Sequence, residues 1–382
     1  TDDTGGVRPP LPRIGRLPLR AEPAWDDGGS GPPAGDDGGE GPFPGGGRVP
    51  SGRGDPDGGA LRKARGRGDR DGPNFDLAVP PDGYAWWYVD GISEDGSRAV
   101  SVIGFIGSVF SPWYRWSGRR NPANHCCINV ATYGPGGRFT MTDRGEEALR
   151  LSPDTFEVGP SQMHWTGREL VIDVDEISGP PMISRVRGRI TVTPSGLSDV
   201  ELPLTPDGAH IWRPCAPTSD ITVELEAKGW QWSGHGYFDA NFGTRALETD
   251  FRFWTWGRYP TADGSICFYD AVRRDGSELA TSVRFDADGA ARTVRPPPKT
   301  ALKRSLWQVR RETRGDAGTT ARQVKPMLDA PFYSRSAVEI QFAGQRTVGV
   351  HEALDLDRFR SPLLKPMLAV RVPRRRRWSF AD

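Results

Sequence analysis

The sequence predicts an all-β protein, and three observations support this fold class. From Asn74 onward, short runs rich in Val, Ile, Phe, Tyr and Trp follow one another along the 382-residue chain. Asp-Gly pairs separate many of these runs, and such pairs favour the tight turns of β-hairpins. Helical periodicity is confined to two short segments, residues 142–151 and 352–359. Many short strands of this kind are typical of antiparallel barrels and sandwiches.

Ten segments have the β-branched and aromatic content expected of strands. In chain order they are residues 85–90, 99–109, 125–133, 169–177, 183–193, 221–226, 230–238, 251–258, 337–342 and 347–351. The Asp-Gly pairs lie at residues 82–83, 95–96, 207–208, 263–264, 275–276 and 288–289. Together, the segments and the pairs predict successive antiparallel hairpins.

We expect the chain to divide into four regions. Residues 1–72 are dominated by Gly, Pro, Asp and Arg, so this low-complexity extension is predicted to be disordered. The polar, proline-containing stretch from Arg213 to Asp220 separates two strand-rich halves. It predicts one β-barrel-like domain over residues 73–216 and a second over 217–373, followed by a basic tail at 374–382. A pocket is then expected inside one barrel or in the cleft between the two.

The charge balance and the motif content argue against several functional classes. Fifty Lys and Arg against 49 Asp and Glu give a net charge of +1, which provides no general field to attract nucleic acid. The four cysteines, of which Cys126 and Cys127 are adjacent, fit neither a zinc spacing nor a disulfide framework. Metal-binding, nucleotide-binding and serine-hydrolase motifs are missing. We therefore expect a cytoplasmic protein without a metal or a transmembrane helix.

The segment from His210 to Asp239 combines proton carriers with large aromatic rings. If its strands are extended, Tyr237 and Asp239 share one face with His235, and His210 and Trp212 also share a face. Proton donors beside π faces suit chemistry on an apolar, electron-rich substrate. The alternative is structural: Asp239 caps a turn, and His210 is a hydrogen-bonded histidine at an interface.

Further aromatic residues are candidates for a substrate pocket. Trp254 and Trp256 fall on one face of a predicted strand, and Trp87 and Trp232 belong to two other aromatic clusters. The alternative is core packing, which aromatic residues dominate in any β protein.

The C-terminal segment has a different character. It contains Arg374, Arg375, Arg376, Arg377 and Trp378. Cations beside aromatic rings are what an anionic lipid surface attracts, so the segment predicts peripheral contact with a membrane. The alternative is a solvated basic tail.

Four motifs resemble those of a known enzyme family. They are residues 121–130, the His210-Ile211-Trp212 triplet, residues 234–243, and Trp254-Thr255-Trp256-Gly257-Arg258. In this order they resemble the acyclic carotenoid 1,2-hydratases (hydroxyneurosporene synthases) of phototrophic bacteria. The resemblance runs from about Asn74 to the C-terminus and leaves out residues 1–72.

The resemblance implies two lipocalin-like (calycin-type) antiparallel β-barrels in tandem. It also implies cofactor-free addition of water across the terminal C1=C2 double bond of neurosporene, lycopene or related acyclic carotenoids, giving 1-hydroxy carotenoids. Carried over by motif, the important residues are His210, Trp212, Tyr237 and Asp239, with Asp239 as the acid. The substrate implies a position at the inner or photosynthetic membrane. Because the wider family includes cyclase and pericyclase-like relatives, the fold alone leaves the reaction open.

The chemistry of hydration makes a specific demand on Asp239. A proton must reach C2, and water must then capture the tertiary cation at C1. Because the ordinary pKa of an aspartic acid is ~3.9, remaining protonated near pH 7 requires a pKa raised by roughly 3 units, which burial would supply. Trp and Tyr faces would stabilise the cation by about 0.5 to 2 kcal/mol each. His210 or His235 would hold and deprotonate the water.

Two other functional classes stay open at this stage. A noncatalytic lipocalin-like carrier would capture a carotenoid without turnover. A β-fold glycosidase would need a second carboxylate about 5 to 10 Å from Asp239, and Glu248 and Asp250 are the nearest in sequence.

Overall fold

The computed structural model describes residues 60–64, 72–180 and 182–375, and the predicted all-β fold is confirmed there. The first thirteen strands are β1 Arg62–Lys63, β2 Tyr84–Ser93, β3 Ala99–Ile106, β4 Cys126–Tyr133, β5 Phe139–Thr140, β6 Leu149–Ser152, β7 Thr155–Val158, β8 Ser161–Trp165, β9 Leu170–Ile177, β10 Arg185–Pro194, β11 Val200–Pro203, β12 His210–Leu225 and β13 Gln231–Gly243. They form one sheet with the order β5-β4-β3-β2-β13-β12-β10-β9-β8-β7-β6. Beside this path, β11 pairs with β12 and with β1.

The remaining strands form a second large sheet and a small one. They are β14 Phe251–Thr261, β15 Gly264–Arg273, β16 Glu278–Asp286, β17 Ala291–Val294, β18 Lys299–Leu302, β19 Arg311–Arg314, β20 Arg322–Ala330, β21 Tyr333–Phe342 and β22 Gln345–Asp355. The seven-stranded sheet has the order β17-β16-β15-β14-β22-β21-β20, and β18 pairs with β19. The predicted Asp-Gly hairpin at residues 95–96 joins β2 to β3, and Gly96 adopts the positive φ of 69° that this turn requires.

The helices of the described chain are short. They are α1 Pro112–Trp116, α2 Leu247–Asp250, α3 Leu356–Phe359 and α4 Lys365–Arg371, with 3-10 turns at Pro122–Asn124, Glu146–Ala148 and Pro362–Leu364. Of the helical segment predicted over residues 142–151, only the 3-10 turn Glu146–Ala148 is helical, because Leu149–Ser152 pairs as a strand with Thr155–Val158. Of the helix predicted over residues 352–359, only α3 is helical, since the preceding residues belong to β22.

The first sheet curls around a hydrophobic core of its own. Strands β2 and β7 are far apart in the sheet order, yet Trp87 on β2 contacts Phe156 on β7 with ring centroids 5.3 Å apart. A Cβ atom at Gly104 on β3 would come within 3.0 Å of the same Phe156 ring, so a larger residue there would displace this ring. The curl leaves the outer face of β2, β3, β4 and β13 free to pack against the second sheet.

A second core cluster fills the space between the two large sheets. Along β13, Phe238 and Ala240 point into the first core, whereas Tyr237 belongs to the cluster between the sheets. This alternation is the two-residue period of a strand, and it determines which side chains of β13 meet the second sheet.

Two of the predicted boundaries need correction. The stretch from Arg213 to Asp220 is not a linker but the middle of β12, where the pairing with β13 has register shifts beside Pro214 and Ala216. Proline is tolerated at such irregularities, so its presence did not mark a junction. The chain passes from one sheet to the next between Gly243 and Phe251. Within residues 1–72, β1 pairs with β11, contrary to the predicted disorder; residues 1–59 and 65–71 lie outside the described residues.

Candidate active site

A cavity of about 180 Å³ lies between the two large sheets. Strands β2, β3, β4 and β13 contribute one wall, strands β14, β15, β21 and β22 contribute the opposite wall, and α4 lies along one side. Most of the lining is aromatic and aliphatic. The rings include Trp86, Tyr88, Phe105, Trp254, Trp256 and Tyr269.

Asp239 on β13 is a buried carboxyl group in this lining, with a relative exposure of 3%. Its Oδ2 accepts two hydrogen bonds of 2.8 Å, one from the indole Nε1 of Trp212 and one from the hydroxyl of Tyr237. Its Oδ1 accepts a longer hydrogen bond of 3.2 Å from the amide of Asn241. The predicted burial of Asp239 is confirmed, and Trp212 and Tyr237 are its direct partners.

Strand geometry explains why these side chains converge. Tyr237, Asp239 and Asn241 alternate along β13, so they share the face that meets the second sheet. On the neighbouring strand, Trp212 is directly opposite Asn241, and its long indole reaches diagonally to the carboxyl two residues away.

Burial dominates the ionisation of Asp239. Desolvation raises the pKa of its carboxyl group to about 8, although the hydrogen bonds from Trp212 and Tyr237 lower it. The negative charges of Glu352 and Asp90 raise it further. The side chain is therefore mostly protonated at neutral pH, and its conjugate base has hydrogen-bond donors already in place.

The cavity lining also contains two polar atoms that lack partners. The carbonyl Oδ1 of Asn241 and the indole Nε1 of Trp256 are buried without a hydrogen-bond partner in the part of the chain that the structure describes. One atom is an acceptor and the other a donor. Both atoms are therefore available to form hydrogen bonds with a small polar molecule in the cavity.

A second polar group faces the cavity from the other sheet. Arg335 on β21 donates to Glu352 on β22, with its Nε 2.9 Å from Oε1, and also donates to the hydroxyl of Tyr133 at 3.0 Å. The guanidinium lies 5.0 Å from the ring centre of Tyr88. This ion pair keeps a carboxylate in the cavity wall opposite Asp239.

His210 lies outside the cavity lining and belongs to a separate network. Its Nε2 donates to Oδ2 of Asp250 at 2.7 Å, which leaves Nδ1 to accept from the hydroxyl of Tyr84 at 2.8 Å. Burial lowers the pKa of His210. Both ring nitrogens are thus occupied by protein partners, and Asp250 also pairs with Arg245.

His235 shares the face of Tyr237, as predicted, but its ring is also occupied. Its Nδ1 accepts a hydrogen bond of 2.6 Å from Arg258, whose other nitrogen pairs with Asp90. Burial, with a contribution from the Arg258 charge, lowers the pKa of His235 to about 3. His235 is therefore a neutral acceptor at physiological pH, and it does not line the cavity.

The four tryptophans predicted to bind substrate divide into two pairs. Trp254 and Trp256 line the cavity. Trp87 and Trp232 do not, because both point into the core of the first sheet, where the indole of Trp87 donates to the carbonyl of Pro73. In both strands, the two-residue period places the side chain on the face that points away from the cavity.

Several cavity residues were not predicted. Trp86 and Tyr88 flank Trp87 and were detectable in principle, since alternation places both opposite to it. Asn241 follows Asp239 by two residues and carried the same signal. Arg335 and Glu352 lie about a hundred residues downstream in strands without a distinctive motif, so only the folded chain brings them to the cavity.

The carboxylates considered for a glycosidase are engaged elsewhere. Glu248 pairs with Arg119 over 2.5 Å, and Asp250 is held by His210 and Arg245. Among the described residues, no group of three or more His, Cys, Asp or Glu side chains is arranged to hold a metal ion.

The C-terminal basic segment is only partly described. Arg374 pairs with Asp143 and donates to the carbonyl of Asn124 at 2.9 Å, so its side chain is taken up by internal contacts rather than offered to a membrane. Residues 376–382, including Arg376, Arg377 and Trp378, lie outside the described residues. Membrane contact through this segment stays a prediction.

Within residues 60–64, 72–180 and 182–375, no helix has the length and apolar character needed to cross a bilayer.

Comparison with known proteins agrees with the resemblance found in the sequence. Residues 102–381 match the family model described as carotenoid hydratase CrtC. The chain is 68% identical over 280 residues to an acyclic carotenoid 1,2-hydratase of Cereibacter sphaeroides, covering 73% of this chain and 100% of that protein. It is 43% identical over 377 residues to an acyclic carotenoid 1,2-hydratase of Thiocapsa roseopersicina, covering 97% of this chain and 93% of that protein. The second alignment therefore includes most of residues 1–72, which the sequence interpretation had left out.

Among solved structures, an AttH protein from Nitrosomonas europaea has a similar fold. The TM-score is 0.51 at 16% sequence identity, and the match covers 73% of this chain and 97% of that one. At this identity the likeness concerns the fold alone.

Proposed function

The chain belongs to the carotenoid hydratase CrtC family, and we propose that it adds water across the terminal C1=C2 double bond of acyclic carotenoids such as neurosporene and lycopene. The observation that carries this proposal is the carboxyl group of Asp239 in an aromatic cavity between the sheets, where burial raises its pKa to about 8. Protonating an unactivated alkene needs an acid that stays neutral in an apolar site, and the burial of Asp239 among aromatic side chains supports both conditions.

The acidic proton is assigned to Oδ1 of Asp239. A neutral carboxyl group has one carbonyl oxygen with two lone pairs, and Oδ2 already accepts from Trp212 and Tyr237. The proton therefore belongs on Oδ1, from which it passes to C2 of the substrate. After the transfer, the two donors at Oδ2 and the Asn241 amide stabilise the carboxylate.

The tertiary cation at C1 is stabilised by its surroundings. The rings of Trp86, Tyr88, Trp254 and Trp256 line the cavity, and a cation at an aromatic face gains about 0.5 to 2 kcal/mol per ring. The new carboxylate of Asp239 adds a Coulomb attraction, which is stronger in an apolar cavity than in bulk water.

The attacking water is held by Asn241 and Trp256. It donates a hydrogen bond to the unpartnered Oδ1 of Asn241 and accepts one from the unpartnered Nε1 of Trp256. As the water oxygen bonds to C1, one of its protons returns to the Asp239 carboxylate. The substrate has then gained one H at C2 and one OH at C1, and the acid is restored, so we propose that no cofactor takes part.

This scheme uses neither histidine as the proton carrier. His210 is held between Tyr84 and Asp250, and His235 accepts from Arg258, which supports a role other than the one that the sequence suggested. We assign them to positioning: His210 joins β12 to Asp250 at the start of the second sheet, and His235 holds Arg258 beside Asp90.

The finer architecture is also a proposal. We propose that the two large sheets correspond to two lipocalin-like units in tandem, with the active cavity between them. Their purely antiparallel strand order supports this assignment. Because the substrates are hydrocarbons, we further propose that the protein works as a peripheral protein at the membrane that contains them.

The test is a cofactor-free assay. Purified protein is dialysed against a chelator and incubated with lycopene or neurosporene in detergent, in D2O or in water labelled with heavy oxygen. We expect a 1-hydroxy product carrying one deuterium at C2 and the labelled oxygen at C1. Stoichiometric binding without product would indicate the carrier, and an isomer without added oxygen would indicate a cyclase. Either outcome would contradict the hydratase assignment.

A further inference from the structure

The helical segment that lies along the cavity has two apolar faces. Its inner face carries Leu364, Leu368 and Val372, which pack on the core cluster between the sheets, and Leu368 and Val372 also line the cavity. The segment consists of the Pro362–Leu364 turn followed directly by α4. Packing on one side is what is expected of a surface helix, which normally presents polar residues on the other.

The outer face of this segment is apolar as well. Leu363, Met367 and Val370 follow one another at intervals of four and three residues, the spacing of one helical face, and are 83%, 48% and 65% exposed. Trp116 on α1, which packs beside α4, is 52% exposed. We call Trp116, Leu363, Met367 and Val370 the α4 patch. Exposed side chains of this kind on adjoining helices form a surface that binds another apolar surface.

The sequence segments that form the α4 patch are rich in Lys and Arg, and one acid from elsewhere in the chain, Glu248, pairs with Arg115 and Arg119 beside them. No Asp or Glu occurs between Asp357 and Asp382, where eight Arg and Lys residues lie, or between Asp95 and Asp143. This contrasts with the balance of the whole chain, whose net charge is +1.

Three hydrogen bonds fix the helices of the α4 patch in place. Trp113 donates to the carbonyl of Val372, Arg115 to that of Arg360, and Arg371 to that of Pro180.

We propose that the α4 patch docks on an anionic lipid bilayer, so that the substrate passes from the membrane into the cavity beside α4. Exposed apolar and aromatic side chains beside exposed arginines, here Arg360 and Arg371, are typical of helices that lie in the interface of such a bilayer. This proposal rests on the proposed function only for the identity of the molecule that moves from the membrane into the cavity. The surface itself is a property of the folded chain.

A bilayer fits this surface better than a second copy of the chain. Two copies meeting through the patch would bring two arginine-rich surfaces together, and like charges would repel. The continuity between the patch and the cavity gives the bilayer a further advantage, because the same short helix contacts solvent on one side and the cavity on the other. A water-insoluble substrate then avoids crossing bulk water.

Vesicle co-sedimentation of the full chain without carotenoid tests the docking. We expect binding to phosphatidylcholine vesicles that contain phosphatidylserine, weaker binding to pure phosphatidylcholine, and weakening by added salt. The double variant L363D/M367D should lower the partition coefficient about tenfold or more, because apolar burial is replaced by charge repulsion. Arg360→Gln should lower it about fivefold. Leu151→Asp, at an exposed apolar residue of the opposite sheet edge, should leave it unchanged.

Further measurements separate the alternatives. Each variant is checked for folding by thermal melting and for turnover with detergent-dissolved lycopene, which should remain at the level of the unmodified chain because the patch does not line the cavity. Turnover with lycopene in vesicles should fall with the partition coefficient. Unchanged vesicle binding by L363D/M367D, binding that is lost only when residues 376–382 are removed, or a dimer that the double variant dissociates would each overturn the proposal. Vesicle binding without any turnover in detergent would instead contradict the proposed function.

Discussion

The amide nitrogen of Asn241 lies 3.2 Å from Oδ1 of Asp239, while the carbonyl oxygen of the same amide is buried and has no partner within the described chain. One side chain therefore contacts the acid and offers an acceptor to a neighbouring molecule. In the proposed mechanism, this acceptor holds the attacking water within one side chain of the proton donor. Protonation and hydration can then occur in one cavity without a separate base.

Asp239→Asn should abolish turnover and stabilise the protein at neutral pH. Loss of a general acid costs about 100-fold or more in rate. The carboxyl of the native chain has a pKa of about 8 when folded and its ordinary value when unfolded, so the unfolded state ionises first and stability falls as pH rises from about 4 to 8. Because the amide of the variant does not ionise, its free energy of unfolding at pH 7 should be higher by up to about 4 kcal/mol. Denaturant unfolding at pH 5 and pH 8, with product analysis, measures both effects.

The two effects have different controls. Asp143→Asn removes another buried carboxylate, one that pairs with Arg374, and should destabilise the protein at neutral pH instead. An Asp239→Asn variant that retains substantial turnover, or one that is less stable at pH 8 than the native chain, would contradict the assignment of Asp239 as a buried neutral acid.

Trp256→Phe should separate protonation from hydration. The phenyl ring keeps most of the aromatic face but removes the unpartnered Nε1, so the cation still forms and is captured less often. In D2O, the measured quantity is the amount of deuterium in recovered lycopene divided by the amount of hydrated product. We expect this ratio to rise. Trp254→Phe in the same wall is the matched control and should leave this ratio unchanged. An equal rise in both variants would mean that the indole nitrogen of Trp256 does not hold the water.

Tyr237→Phe should weaken the acid. The Tyr237 hydroxyl lowers the pKa of Asp239 by donating to Oδ2, so its loss should move the basic limb of the pH profile upward by about one to two units. The maximal rate should fall as well, because the carboxylate formed on proton transfer loses a donor. Tyr269→Phe, which removes another hydroxyl from the cavity lining, should leave the limb in place. A lower rate without a shifted limb would mean that Tyr237 acts only through packing.

The sequence was most informative where the signal was local. Alternation and Asp-Gly pairs predicted most strands, and the spacing of Tyr237 and Asp239 predicted their shared face. Adjacent tryptophans were ambiguous, because alternation shows that Trp86 and Trp87 point to opposite sides but not which side holds the cavity. The ion pair of Arg335 with Glu352 had no local signal, since its position depends on how the second sheet packs on the first.

The role of His235 gives the last prediction. A histidine that deprotonates water needs a pKa near neutrality, whereas burial and Arg258 hold the pKa of His235 at about 3. Below about pH 6.5 the His235 ring takes up a proton in the unfolded chain but not in the folded chain. The contribution of His235 to the free energy of unfolding is therefore fully present above that pH and is lost as pH falls, by about 2 kcal/mol at pH 5. His235→Gln retains an acceptor for Arg258 and should reduce this loss of stability at acidic pH, while turnover at pH 7.5 stays unchanged. Urea unfolding at pH 5 and pH 7.5 measures the first effect, and a variant that is inactive but equally folded would restore His235 as the base.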